Sequence, residues 1–204
     1  MRAGKRPITP RRVALYKYAY YLLYFHMRRF FLIFFSLQLL LFGIELLQPV
    51  QQHLVLPWTA LLAKICVLLV TQFDVNAAAL GKLLWNPATG FGVSIEPGCN
   101  GVEACIILFA ALIAFPASGR HRAKGLALGF IAVQGLNIVR IISLFYLGQW
   151  NDTAFRIAHE YLWQGLIMLD VLVVWLWWVK TSPEAERAPQ EPEINPTLQP
   201  GSPT

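Results

Sequence analysis

Cys99 is the residue in this sequence best placed to act as a nucleophile. It lies in the turn-forming segment Glu96–Gly101, directly before an apolar run that starts at Val102. Pro97 and Gly98 predict a tight turn at the start of a helix. Helix starts carry unpaired backbone N–H groups and the positive end of the dipole, and both favour a thiolate over a thiol. The sequence therefore predicts an activated thiol here, although a lone cysteine beside a membrane helix is often only a small apolar residue.

Two further residues could complete a site for thiol-based acyl transfer. His159 could take the proton of the thiol and later return it to a leaving amine. Arg140 is always charged and could stabilise the oxyanion that forms on an attacked carbonyl. A charged residue in a transmembrane helix costs roughly 2.5–3.5 kcal/mol on insertion scales. Arg140 is therefore either functional or extended toward the lipid headgroups, and His159 taken alone also fits an ordinary loop histidine at the interface.

Three neighbouring polar residues are candidates to support this chemistry. Asn137 precedes Arg140 by three residues on the same helical face, where it could orient the guanidinium. Glu103 follows Cys99 by one turn, so it lines the same cavity, pairs with a basic side chain or is protonated. Asn100 joins this supporting set as the residue that follows the candidate nucleophile.

The remaining chemically notable residues do not define a second site. Asp170 lies in the middle of the last apolar run and is a functional candidate on that ground, but the sequence assigns no role to it or to Lys64. Cys105 is expected to serve packing, and three cysteines are too few for a disulfide framework. The segment His159–Trp163 lacks the second histidine of a zinc-protease motif. Neither a metal nor a cofactor is expected.

The composition places the chain in a membrane. Hydrophobic residues make up 56% of the sequence and charged residues only 14%, whereas a soluble domain carries roughly 25% charge. The net charge is +6, but eight of the seventeen basic residues precede Phe30. This distribution indicates a topology signal and not a nucleic-acid surface.

The sequence pattern predicts an all-α fold, a polytopic transmembrane helix bundle of about five to six spans. We expect a basic N-terminal tail with an interfacial helix over residues 1–29, a transmembrane catalytic bundle over 30–180 and a disordered, proline-rich cytoplasmic tail over 181–204. The clear spans are expected at Phe30–Leu47, Leu54–Phe73, Val102–Ala117, Gly125–Leu147 and Tyr161–Val179.

Charge in the loops predicts which side of the membrane the candidate residues face. Short loops rich in Lys and Arg stay in the cytoplasm, so Arg120–Lys124 and Lys180 are expected inside. Cys99, Arg140 and His159 then meet at the outer face. A cytoplasmic N-terminus requires an odd number of crossings before the cysteine, yet only two spans are clear there. We infer that part of residues 74–98 returns through the bundle, shielded from lipid; alternatively, residues 54–73 re-enter without crossing.

Three short motifs resemble the exosortase/archaeosortase family, which comprises polytopic membrane cysteine transpeptidases. They are Glu96–Gly101, Asn137–Ile141 and Ala158–Trp163, and the resemblance covers roughly residues 90–170. It implies Cys99, Arg140 and His159 as catalytic residues. The chain looks closest to the short exosortase H type, whose substrates carry C-terminal tails of the Ile-Pro-Thr-Leu kind, followed by a membrane helix and basic residues.

The residues predict a membrane cysteine transpeptidase or protease at the outer face of the cytoplasmic membrane, and the resemblance implies that it cleaves C-terminal sorting signals. Its partners would be exported proteins with a motif, a transmembrane helix and a basic tail, and the lipid bilayer, but no nucleic acid. Two alternatives are a small transporter, with Arg140, Asp170 and Glu103 as pathway charges, and a non-catalytic scaffold. The sequence leaves open whether water, a lipid amine or a glycan-linked group accepts the acyl chain.

Overall fold

The computed structural model describes residues 10–74 and 76–182, which form a bundle of apolar helices with one small sheet. The described helices are α1 (Pro10–Glu45), α2 (Gln48–Val70), α3 (Val102–Ala114), α4 (Gly119–Trp150) and α5 (Asp152–Lys180). All except α3 contain a stretch long and apolar enough to cross a membrane. The expected fold class, a helical transmembrane bundle, is confirmed. Four of the five described helices are candidate spans, fewer than the five to six expected, because α3 ends at Ala114 and is shorter than the span expected at Val102–Ala117.

Helix α1 runs without a break through the boundary predicted near residue 30. The expected interfacial helix and the first expected span therefore belong to one helix, of which Tyr24–Glu45 is the candidate span. The division into domains stays a prediction. Residues 1–9 of the basic tail and residues 183–204 of the proline-rich tail lie outside the described residues.

Helix α3 is the central element of the bundle and packs against α1, α4 and α5. Helix α4 approaches α3 closely because a glycine of α4 faces it. A Cβ at Gly129 of α4 would lie 2.5 Å from Cδ2 of Leu108 on α3, and Leu108 is fully buried. Small residues at such contacts let membrane helices pack by shape, since burial in lipid provides no hydrophobic driving force between them.

Aromatic contacts define one end of the bundle, which we call the basic end because α4 begins there with residues 120–124. Phe115 follows α3 and packs against Trp175 and Trp178 near the end of α5, with ring centroids 6.4 and 5.8 Å apart. Phe30 of α1 also contacts Trp175, at 6.0 Å. The span part of α1 and the whole of α4 therefore run away from this end, and α3 and α5 run toward it.

The opposite end, which we call the site end, is where α4 finishes and a three-stranded sheet covers it. The strands β1 (Ala78–Leu80), β2 (Leu83–Trp85) and β3 (Gly92–Ser94) pair antiparallel in chain order. Nδ2 of Asn86 donates to Oε1 of Gln149 on α4 at 2.7 Å, and the ring of Phe91 fills the space that a Cβ at Gly148 would occupy. The sheet is thus fixed to the last turns of α4.

Helix α2 runs toward the site end, in the same direction as α4. It starts beside the end of α1, where Nε2 of Gln51 donates to the backbone oxygen of Glu45 at 2.9 Å. Its middle passes the start of α3, where Nε1 of Trp58 donates to the backbone oxygen of Asn100 at 3.4 Å. Its last turn, at Val70, packs in the same buried cluster as the sheet. Although α2 is long enough to cross a membrane, it continues from α1 and does not return beside it.

This arrangement shows how the chain reaches Cys99. Glu45 shares a cleft with Val102 and Gln134, so α1 ends level with the start of α3. The described residues between α1 and Cys99 then stay between that level and the site end. Among the described residues, α1 makes one passage from the basic end before the cysteine, and we call this the one-passage arrangement. The described residues 76–98 form the sheet at the site end, so the inferred return through the bundle is not seen in them. The number of membrane crossings before Cys99 stays a prediction.

The one-passage arrangement predicts that the loop after α2 and the loop before α5 lie on the same side of the membrane. In a protein whose native cysteines are replaced by alanine, we expect Asn76→Cys and Asn151→Cys to react alike with a membrane-impermeant maleimide in intact cells. Arg120→Cys, at the basic end, should show the opposite accessibility. Labelling of Asn76→Cys together with Arg120→Cys would show that α2 crosses back.

Candidate active site

The segment before α3 forms a tight turn that presents Cys99. The backbone N–H of Cys99 donates to the oxygen of Glu96 at 2.9 Å and closes the turn. Gly98 and Gly101 have φ angles of 84° and 73°, in the left-handed region that favours glycine. A Cβ at Gly101 would also lie 2.8 Å from Nε2 of Gln134, so only glycine fits there. The turn predicted from the sequence is therefore present, and the thiol is half-buried.

Arg140 lies within α4 and points into this turn, where it is only 2% exposed. Its Nη1 donates to the backbone oxygen of Gly98 at 3.1 Å, and its Nη2 donates to Sγ of Cys99 at 3.4 Å. A side chain that extended to the headgroups would instead be exposed. The guanidinium thus contacts the sulfur itself, whereas the sequence suggested only a role toward an oxyanion.

His159 approaches the same sulfur from α5. Its Nε2 lies 3.2 Å from Sγ of Cys99, which is within hydrogen-bonding distance of a thiol. The histidine belongs to the π-helical segment Ala158–Leu162, and such segments often occur at functional sites because they change the direction of side chains. The ring of Phe155 stacks on the imidazole at 5.7 Å with an interplanar angle of 3°. Three helices or helix starts therefore bring Cys99, Arg140 and His159 together.

The environment of the thiol works against a resting thiolate. Burial raises the pKa of the Cys99 thiol above its ordinary value, and the nearby Arg140 guanidinium opposes this rise without cancelling it. The carboxylates of Glu103 and Glu96 add smaller contributions that raise the pKa further. The expectation that the helix start alone favours the thiolate is therefore too simple. Nε2 of His159, 3.2 Å from Sγ, is the adjacent candidate to take the proton of the thiol.

Glu103 and Asn100 hold the turn in place. Oε1 of Glu103 accepts a hydrogen bond from the N–H of Gly98 at 2.5 Å. Oδ1 of Asn100 accepts from the N–H of Val102 at 3.0 Å, at the start of α3, and its Nδ2 donates to Oγ1 of Thr59 on α2 at 3.3 Å. The sequence did not suggest this bond from Glu103 to the turn beside Cys99, and the salt bridge considered for Glu103 is not found among the described residues.

Asn137 is placed differently from what the sequence suggested. It is fully buried, but neither of its amide atoms has a hydrogen-bond partner among the described residues, so it makes none with Arg140. It lies one turn deeper in α4, and its Nδ2 is 3.2 Å from where a Cβ of Gly101 would be. Asn137 therefore packs under the turn and does not orient the guanidinium.

The other notable residues lie away from the sulfur contacts. Cys105 is buried and receives a weak contact from Nε2 of Gln134 at 3.5 Å. Asp170 on α5 has one buried carboxylate oxygen without a partner among the described residues. Lys64 on α2 is exposed. Sequence reasoning gave no weight to Trp58 and Thr59 of α2, which bond to Asn100. No local signal marks them, since each is an ordinary helix residue until α2 is placed.

Comparison with known proteins gives one match. The family model described as transmembrane exosortase matches residues 11–179, which is most of the chain and includes all three residues around the sulfur. This match confirms the family resemblance seen in the three short motifs. No curated protein and no solved structure matches the chain significantly.

The raised pKa of the thiol has a consequence for its reactivity. In a protein with Cys66→Ala and Cys105→Ala, the rate at which iodoacetamide alkylates Cys99 should keep rising above about pH 8.5, the ordinary thiol pKa, because the proton is held more tightly. Arg140→Gln removes the opposing positive charge and should move the midpoint still higher. The measurement is the second-order rate constant against pH. A midpoint near pH 4–6, which reports a stable thiolate–imidazolium pair, would contradict this interpretation.

Proposed function

The chain belongs to the transmembrane exosortase family, and from this premise we propose that it is a membrane cysteine transpeptidase or protease that cleaves the C-terminal sorting signals of exported proteins. The observation that carries the proposal is the placement of Sγ of Cys99 within 3.2 Å of Nε2 of His159 and within 3.4 Å of Nη2 of Arg140. A nucleophile, a base and a fixed cation around one sulfur are the parts that acyl transfer requires.

In the proposed reaction His159 acts first as base and then as acid. Nε2 takes the proton of the Cys99 thiol as the sulfur attacks the scissile carbonyl carbon, and the carbonyl electrons move to oxygen. The tetrahedral intermediate collapses when the protonated imidazole gives its proton to the leaving amine and the C–N bond breaks. An acyl group then remains as a thioester on Cys99. Water, a lipid amine or a glycan-linked group releases it, according to whether the chain hydrolyses or transfers its substrate.

Arg140 has two functions in this proposal. Before attack, its contact with Sγ stabilises negative charge as it develops on the sulfur. After attack, the same guanidinium lies next to the new oxyanion, because that oxygen is separated from Sγ by only the carbonyl carbon. The bond from Nη1 to the oxygen of Gly98 holds the guanidinium in this position. An always-charged donor in a water-poor site is effective for both steps.

We propose that the site faces the exterior of the cytoplasmic membrane and that the C-terminal tail is cytoplasmic. The basic end carries residues 120–124 and the final Lys180, which favour the cytoplasm, and the sulfur lies toward the other end. Exported proteins whose tails combine a recognition motif of the Ile-Pro-Thr-Leu kind, a membrane helix and basic residues are the proposed partners. The transporter alternative has less support, since Arg140 and Glu103 both bond to the turn at Gly98.

Loss of the thiol tests the nucleophile. We expect Cys99→Ala to abolish processing of a co-expressed protein that carries such a tail, because no thioester can form, and Cys99→Ser to nearly do so. The measurement is the ratio of processed to unprocessed substrate on immunoblots. Cys66→Ala and Cys105→Ala are matched controls, since both thiols are buried and neither makes a hydrogen bond with His159 or Arg140 among the described residues, and they should retain processing. Full processing by Cys99→Ala would exclude the proposed function.

The planar fork of Arg140 can be tested separately from its charge. Arg140→Lys keeps a positive charge but replaces the two nitrogens of the planar fork, which contact Gly98 and Cys99 separately, with a single ammonium nitrogen on a flexible stem. We expect normal membrane insertion with processing slowed roughly 100- to 1,000-fold, the usual effect of losing an oxyanion donor. Rates of substrate conversion in isolated membranes would measure this. Near-normal rates would show that charge alone suffices and would remove Arg140 as a directional donor.

A further inference from the structure

We propose that the free edge of β3 is the docking site for the substrate's extended chain beside the scissile bond. The substrate would add to the sheet as a fourth strand, and its backbone would lead to Cys99. This inference rests on the proposed function, because it assigns the substrate-binding surface of the same site. It commits to one occupant, an extended peptide segment recognised mainly through its backbone.

The first support is the hydrogen-bond register of the sheet. The N–H of Asn86 donates to the oxygen of Phe91 at 2.8 Å, and the N–H of Ile95 donates to the oxygen of Lys82 at 3.0 Å. Since bonding alternates along an antiparallel strand, positions 91, 93 and 95 pair toward β2, although the N–H of Phe91 itself donates to Oγ1 of Thr89 at 3.3 Å. The N–H and C=O groups of Gly92 and Ser94 face outward, and they have no partner among the described residues.

The second support is that this edge is open but rigid. Gly92, Ser94 and Glu96 are exposed, whereas the alternate residue Ile95 is only 1% exposed and packs in the core cluster. The ring of Phe91 packs against Phe145 of α4 at 6.4 Å. Exposed strand edges are usually protected because they pair with other chains. Here the side chains of positions 91, 93 and 95 pack in the core and fix the strand. The exposed positions carry the small residues Gly92 and Ser94, which let another backbone approach.

The third support is the continuity of the edge with the nucleophile. The bond from Ile95 to Lys82 shows that the chain stays extended past the end of β3. The next residue, Glu96, begins the turn whose closing bond comes from Cys99. The Cα atoms at the two ends of such a turn lie within about 7 Å. A peptide paired along positions 92–96 therefore reaches the sulfur within one to two residues.

The dimensions define the kind of ligand. At about 3.3 Å per residue, positions 92–96 accommodate four to five residues of extended chain. Strand addition takes its affinity from main-chain hydrogen bonds and its selectivity from the side chains at alternate positions. The other edge of the sheet, β1, is two strands away, or about 10 Å. It offers an outward backbone at Ala79 without access to the sulfur, which makes it a matched control.

The test uses acetyl-capped alanine chloromethyl ketones of one to four residues on the full-length protein in membranes, with Cys66 and Cys105 replaced by alanine. Their second-order inactivation of Cys99 should accelerate roughly tenfold between the shortest and the longest probe, as expected for two added backbone hydrogen bonds. Iodoacetamide, which has no peptide chain, reports the reactivity of the thiol alone.

Ser94→Pro removes the outward N–H of β3 without removing a bond inside the sheet, and proline is tolerated where an edge N–H faces solvent. In this variant we expect the inactivation rate constant no longer to increase with probe length, while the rate of alkylation by iodoacetamide is unchanged. Ser94→Ala, which keeps the N–H and loses the hydroxyl bonded to Glu96, should keep the gain with probe length. Ala79→Pro on β1 should also keep it.

A second measurement does not depend on any variant folding. Methylation of a single backbone nitrogen in the four-residue probe should abolish the gain at alternate positions only, since every second N–H of an extended strand faces its neighbour. Equal effects at adjacent positions, or a gain retained by Ser94→Pro, would overturn the docking proposal. If no probe or iodoacetamide modified Cys99 in the wild type, the proposed function itself would fail instead.

Discussion

The buried guanidinium of Arg140 is the interaction on which the rest of the site depends. A charge that is 2% exposed within a bundle requires hydrogen-bond acceptors close by, because desolvation is costly. The acceptors it uses are the oxygen of Gly98 and the sulfur of Cys99. Because the buried guanidinium requires these acceptors, its two bonds hold the turn against α4. Without these bonds, the sulfur would have no fixed position relative to the helix that carries the candidate oxyanion donor.

The same turn is held by two other elements, and each bond comes from a different part of the chain. Glu103 of α3 bonds to the N–H of Gly98, and Thr59 of α2 bonds to Asn100. The bond between Thr59 and Asn100 satisfies polar atoms that would otherwise be buried without partners, which is costly in a membrane protein. The bond from Gly98 to Glu103 is exposed and fixes the turn to α3. His159 of α5 differs, since its contact is with the sulfur of Cys99 and not with the backbone of the turn. The nucleophile is thus fixed, and the candidate base is positioned separately.

The path of the chain explains why the site and the sheet lie together. Helix α2 continues from α1 toward the site end, so the following strands can cover only that end, where they pack on Phe145 and Gly148. β3 then leads directly into the turn of Cys99. A return crossing would have placed the strands at the basic end, far from the sulfur. The direction of α2 therefore determines which surface an incoming peptide meets beside the nucleophile.

Much of this arrangement could be read from the sequence, since composition and apolar runs locate the apolar helices, although not their exact ends or the number that could span a membrane. The turn at Cys99 was equally readable because glycine and proline act locally. The family resemblance and loop charges added Arg140 and His159 as partners. The alternation at residues 91–95 was visible too, but three short strands form a sheet only through long-range pairing, so the expectation remained all-helical.

The tertiary structure alone decided the direction of α2, the contact of Arg140 with the sulfur and the isolation of Asn137. Helical spacing correctly placed Asn137 and Arg140 on one face. It could not show that Gly101 packs over the side chain of Asn137, whereas Arg140 extends to the oxygen of Gly98. The physical reason is that sequence encodes local geometry and solvent preference. Which side chains satisfy one another's buried polar groups depends on how separate helices pack.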